Sequence, residues 1–244
     1  MPKLYMNKIS FPRLYAIIFI MKIKDICISL LKGILAGLAI SFGGFLFIIS
    51  TTYISGDLGK LVGSILFPIG LFIVCTFSLF LFTGKVGLFF EEKQKKEFYI
   101  SLPLMLIGNG VGAISLGYIL FFIFKDTEIM DRAIEISNSR LNFTSFSNYL
   151  SCLVKSIFCG LCVYLAVKTY ALSKRKIIGT FLLFFFIALF VYAGFEHCIA
   201  NMYYFSMSNS WSVYSLIDLA LCISGNIIGT IPGVILIKLI KKIK

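Results

Sequence analysis

The chain has 244 residues, 59% of them hydrophobic and 14% charged, with a formal charge of +12 at pH 7. Soluble domains are roughly 45–50% apolar and about 25% charged, so a water-soluble enzyme or binding module is excluded and an integral membrane protein is expected. The single histidine excludes a two-histidine haem. No paired Cys/His metal spacing is present either, so neither cofactor nor metal is expected.

Residues 1–25 read as a cytoplasmic or interfacial segment. Leu14–Met21 is a short apolar run behind basic residues, like the core of a signal peptide, but it lacks a small-x-small cleavage site. A lead-in helix lying on the membrane surface fits better, with Met21 as an alternative start to Met1. Residues 26–244 form a single membrane domain. A spanning helix needs about 20 mostly apolar residues, and six runs qualify, at about 27–53, 61–82, 98–124, 149–170, 177–204 and 213–237. Period-2 alternation is absent, which excludes a β-barrel.

The basic residues between spans fix an orientation. Lys3, Lys8, Arg13, Lys22, Lys24, Lys85, Lys93, Lys95 and Lys96 fall on the same side as Lys168, Lys174, Arg175, Lys176, Lys238, Lys241, Lys242 and Lys244. The other side holds only Lys60, Lys125, Arg132 and Arg140, offset by Asp57, Asp126, Glu128, Asp131 and Glu135. The positive-inside rule then places both termini in the cytoplasm of a multi-pass protein of the cell (plasma or inner) membrane. The net charge is a topology signal with some contact to anionic lipid, and nucleic acid is not an expected partner. All seven cysteines lie in or beside spans, and Cys159-x-x-Cys162 sits mid-span with no βαβ context, so they are read as core fillers.

A repeat links the two halves. Span 1 contains Leu31-Lys32-Gly33-Ile34-Leu35-Ala36-Gly37-Leu38, and span 4 contains Val154-Lys155-Ser156-Ile157-Phe158-Cys159-Gly160-Leu161. Span 3 carries Gly108-Asn109-Gly110-Val111-Gly112 and span 6 carries Gly225-Asn226-Ile227-Ile228-Gly229, both G-N-x-x-G. Residues about 26–124 therefore look like a diverged copy of about 147–240. Three spans per half put the copies in opposite orientations, as in channels and transporters whose path lies at the repeat interface. The glycines also serve close helix packing. Spans 2 and 5 are then equivalent, and each holds an interruption, at Leu81-Phe82-Thr83-Gly84-Lys85 and at Gly194-Phe195-Glu196-His197-Cys198-Ile199-Ala200-Asn201-Met202. Broken backbone is tolerated at membrane depth only where it lines a cavity or is buried in protein.

These residues, with Phe190 ahead of the second interruption, resemble the formate–nitrite transporter family (formate, nitrite or hydrosulfide channels) from about Leu31 to Ile240. The GFEH-x-x-ANM element is the specific part of the match. The resemblance implies an all-α, aquaporin-like protomer: six transmembrane helices in an inverted 3+3 repeat with spans 2 and 5 interrupted. It also implies a homopentamer with one pore per protomer, carrying small monovalent weak-acid anions.

By position, it implies that His197 is the central pore histidine and proton relay, with Thr83 and Asn226 beside it. Leu71, Phe82 and Phe190 are implied at constrictions. Arg140 matches a lysine that attracts anions into a vestibule, and here cannot release its proton. Gly160, Cys198 and Lys85 depart from the family pattern and are expected to bear on which anion is preferred.

From the residues alone, Glu196 and His197 point about 100° apart on a regular helix, so Glu196 is read as holding the broken helix in shape through backbone N–H groups, with Asn201 in the same structural group. Asp218 faces an interface or a vestibule rather than lipid. A facilitator of small neutral solutes shares this fold and is the alternative, although paired Asn-Pro-Ala loops are missing.

Overall fold

The computed structural model describes residues 23–91 and 96–243, so the expectations for residues 1–22 lie outside it. Among the described residues the protein is helical, without strands. Six stretches are long and apolar enough to cross a membrane. Span 1 is α1 (Ile23–Tyr53). Span 2 begins as α2 (Gly56–Leu66) and α3 (Ile69–Thr76) and resumes beyond a break as α4 (Phe82–Lys85). The short α5 (Leu88–Glu91) precedes span 3, α6 (Lys96–Phe124). A further helix, α7 (Glu128–Asn138), leads to span 4, α8 (Phe146–Leu172). Span 5 is α9 (Lys176–Ala193), resumed as α10 (Cys198–Met207), and span 6 is α11 (Val213–Ile228) followed by α12 (Thr230–Ile243).

Two features differ from the sequence reading. The span 2 break lies at residues 77–81, ahead of the expected Leu81–Lys85 stretch, most of which forms the restarting helix α4. Ser78 turns the chain there at a positive φ of 52°, a position that carries neither Gly nor Pro as a marker. The loop between spans 3 and 4 contains α7, whose Ile129, Met130, Ala133 and Ile136 are buried. Their i, i+3/i+4 spacing is that of a helix with one apolar face.

Packing repeats between the halves. The helix α1 lies along α6, and α8 along α11. The approach is close because glycines stand at the crossings. A Cβ on Gly37 would come 2.1 Å from the Asn109 carbonyl oxygen, and one on Gly160 would come 2.3 Å from that of Asn226. The restarted halves of the broken spans then cross over: α10 packs on α6 and α4 on α8, which ties the two halves together around the breaks. The outer faces carry exposed apolar side chains such as Phe122, Ile177 and Phe181, as a lipid-facing surface requires.

Candidate functional site

Each break is held by one buried asparagine. Asn109 Nδ2 donates to the carbonyl oxygens of Gly33 and Phe80, both at 2.8 Å, while its Oδ1 accepts the Phe82 N–H at 2.8 Å. Asn226 Nδ2 donates to the carbonyls of Ser156 and Glu196, both at 2.9 Å, and its Oδ1 accepts the Cys198 N–H at 3.1 Å. In each case the amide bridges the residues before and after one extended N-cap residue, Leu81 ahead of α4 and His197 ahead of α10. A primary amide has two donors and an acceptor in one plane, which suits it to pair with the carbonyls and the N–H that a broken helix leaves free. Both polar ends of the Asn226 amide are thus taken up by backbone groups.

The chain reaches His197 through a left-handed cap. Gly194, at φ 71°, ends α9, and the Phe195 N–H returns to the Phe190 carbonyl at 3.0 Å. Gly is favoured at such a position because a Cβ would clash. His197 then caps α10 with its ring: Nδ1 accepts the Ala200 N–H at 3.3 Å. With Nδ1 accepting, the neutral ring carries its proton on Nε2, and that N–H donates to Thr83 Oγ1 at 2.9 Å. His197 is 3% exposed and Thr83 1%. This single hydrogen bond joins the restart of span 2 to the restart of span 5.

Three cavities adjoin one another near this bond through shared wall residues, and Thr83 borders none of them. The first, about 200 Å³, is lined by Lys60, Arg132 and Arg140 and reaches Phe67, Phe190 and His197. The second, also about 200 Å³, is lined by Cys75, Lys85, Val167 and Leu81. Between them lies a gap of about 10 Å³ bounded by Ile40, Phe67, Leu71, Leu81, Phe190 and His197, together with Val163 and Ile187. That gap is about the space of one water. Phe67 and Phe190 meet edge to face at 5.8 Å and close the first side, and Phe190 stacks on His197 at 6.0 Å. Leu81 borders both the gap and the second cavity.

Of the constriction residues expected from sequence, Leu71 and Phe190 stand at this gap. Phe82 is buried and borders none of the three cavities. Phe67 and Leu81 were missed. Pro68, just beyond Phe67, could have drawn attention to it, and Leu81 is the repeat partner of His197. Arg140 borders the first cavity with its guanidinium 4.8 Å above the Tyr204 ring, donating to Asn201 Oδ1 at 3.1 Å and to the Ile136 carbonyl at 2.7 Å. It also pairs with Glu196 at 3.1 Å. The Glu196 carboxylate therefore takes side-chain partners, Arg140 and the Asn201 amide at 3.0 Å, where backbone N–H groups were expected. Of the departures, Gly160 and Cys198 are packed on Asn226. Only Lys85 faces a cavity, its ammonium 5.5 Å from the Phe80 ring, which Lys32 also covers at 4.9 Å.

A vestibule carrying three cations and Glu135, a second and largely apolar one carrying Lys85, and between them a one-water gap whose walls are apolar except for His197, all inside a bundle of membrane-length helices, define a channel or transporter for small solutes. The chain belongs to the formate/nitrite transporter family, whose profile matches residues 22–240. It is 29% identical over 190 residues to the uncharacterized transporter YrhG of Bacillus subtilis (strain 168), an alignment covering 71% of this chain and 68% of that protein. It is 30% identical over 206 residues to a formate-nitrite transporter of Plasmodium ovale, covering 74% of this chain and 64% of that one. The fold is shared with a pentameric formate channel solved with formate bound, at a TM-score of 0.76, 24% identity, and coverage of 91% of this chain and 99% of that chain.

Proposed function

We infer that this protein carries small monovalent weak-acid anions of the formate, nitrite and hydrosulfide class. The observation that carries the reading is His197, hydrogen-bonded to Thr83, at a one-water gap between a vestibule holding Lys60, Arg132 and Arg140 and another holding Lys85. A bare anion in such a gap loses its hydration: the idealised cost is of order 20 kcal/mol, and several kcal/mol remain after relaxation. Protonation removes most of that cost. Arg140 gathers the anion on one side and Lys85 on the other. On the positive-inside reading, with both termini cytoplasmic, the Arg140 vestibule is the outer one.

The geometry also limits what His197 can do. With Nδ1 occupied by the Ala200 N–H, the neutral ring has one proton to share and no net proton to give, since losing Nε2–H alone would leave an imidazolate. The proton that neutralises the anion therefore comes from hydronium or buffer acid in the vestibule. The Thr83 hydroxyl, held by the Nε2–H, then donates to the small acid as it crosses, replacing a water it has lost. The repeat read in the sequence supports the same reading, because the two breaks it relates meet at the His197–Thr83 bond. The pentameric assembly of the structurally similar formate channel is proposed here too, with one path per protomer.

Flux into proteoliposomes decides it, with formate, nitrite, hydrosulfide and acetate compared from about pH 5 to pH 8. Saturable flux that rises toward acid pH, and whose rate falls strongly in His197→Asn, is the expected result. An unchanged rate in His197→Asn for every anion rules out a transport role for this residue. Faster passage of water or glycerol than of any weak acid would instead establish a neutral-solute facilitator.

A further inference from the structure

Asp218 is a buried carboxyl with no part in the pathway as described. It lies in α11, 1% exposed, with Oδ2 accepting the Asn201 Nδ2–H at 2.8 Å and Oδ1 facing the Cys152 thiol at 3.6 Å. The same Nδ2 also donates to Glu196 at 3.0 Å, and Asn201 Oδ1 accepts from Arg140 Nε at 3.1 Å. One amide thus ties two carboxylates to one guanidinium. Arg140 pairs directly with Glu196, whereas among the described residues no ammonium or guanidinium stands within ion-pair distance of Asp218. Behind the cluster is a cavity of about 250 Å³, bordered by Arg140, Glu196, Asp218, Cys152 and an exposed Lys155. Arg140 borders both the first vestibule and this pocket, whose lining carries Glu196 and Asp218 together with Lys155.

In this cluster one guanidinium faces two carboxyl groups, and the other cation at the pocket, Lys155, is exposed. A cation that attracts an anion in a low-dielectric wall does so strongly, and conduction requires binding favourable enough to admit the ion yet loose enough to release it. We propose that Asp218 sets how tightly the vestibule holds its anion. It keeps the Asn201 oxygen turned toward Arg140 and offsets part of the guanidinium charge from behind, without touching the anion. This inference rests on the anion-transport reading above.

The test is the concentration dependence of formate flux in proteoliposomes. Asp218→Asn keeps the shape and an acceptor for Asn201 while removing the charge. Its half-saturating formate concentration should fall on the order of fivefold, and its maximum flux should fall with it, because the anion leaves the vestibule more slowly. The difference from wild type should shrink as ionic strength rises. Asp218→Ser, a second variant that keeps an oxygen, should move in the same direction. In an Arg140→Gln background, Asp218→Asn should no longer tighten binding. Half-saturation that is unchanged or raised in both variants overturns the inference, as does the same drop without Arg140. Wild-type liposomes that carry no anion would overturn the proposed function instead, so the two failures are distinct.

Discussion

At the scale of single residues, the centre of the path depends on which atoms of His197 are free. A histidine used as a helix N-cap has one nitrogen committed to the backbone, and here that is Nδ1, on the Ala200 N–H. Only the Nε2–H can serve a solute, and it is already satisfied by Thr83. The hydroxyl can take that hydrogen bond and still donate its own proton, so the pair acts as one extended donor. Thr83→Val keeps the shape and removes the acceptor. A buried N–H left without a partner costs about 1–3 kcal/mol, and the donor facing the solute is lost with it. The expected outcome is a maximum formate flux reduced at least about tenfold, the equivalent of 1.4 kcal/mol on the barrier. Thr83→Ser should keep most of the flux. Equal flux in the valine and serine variants would show that the hydroxyl has no role in transport.

At the scale of elements, the two asparagines are the fasteners that let spans 2 and 5 break. Each meets three backbone groups that would otherwise lie unpaired in an apolar interior. Asn109→Ala and Asn226→Ala should each destabilise the fold by about 2–4 kcal/mol. Thermal unfolding in detergent should show similar losses for both, although only Asn226 stands behind the histidine. A much larger loss for one would mean that the two breaks are not held alike. This part of the design was legible in the sequence, since the paired G-N-x-x-G runs and the GFEHCIANM stretch mark where helices meet and where span 5 stops. The span 2 break was misplaced because residues 77–81 contain no Gly or Pro. The turn there depends on Ser78 in a left-handed conformation and on the distant Asn109. Helix α7 falls outside the six apolar runs because Ile129, Met130, Ala133 and Ile136 are set among Glu128, Asp131, Arg132 and Glu135. The link between Asp218, Asn201 and Arg140 is a tertiary contact among three elements and has no local signature.

At the scale of the whole molecule, the walls of the central gap come largely in repeat-related pairs: Ile40 with Val163, Leu71 with Ile187, and Leu81 with His197. A symmetric pair of breaks would set two like residues at the centre, and this chain sets a leucine opposite a histidine. The result is a path with one polar station and apolar collars on both sides. On the first side the collar is Phe67 against Phe190, edge to face at 5.8 Å. If that collar is what obliges an anion to become neutral before crossing, thinning it should relax the requirement. Phe190→Ala removes the ring that both closes the collar and stacks on His197. The space left joins the first vestibule to the central gap. A hydrated anion then keeps part of its solvent shell, and the several kcal/mol that favoured the neutral acid shrink. Formate flux near neutral pH should therefore rise relative to flux at acid pH, and a larger share of it should carry current. Loss of the ring costs about 3–5 kcal/mol of packing, so assembly must first be checked by size-exclusion chromatography, with Phe190→Leu as the milder partner. A pH profile and current share as in wild type, in variants that assemble, would place the selective barrier somewhere other than this collar.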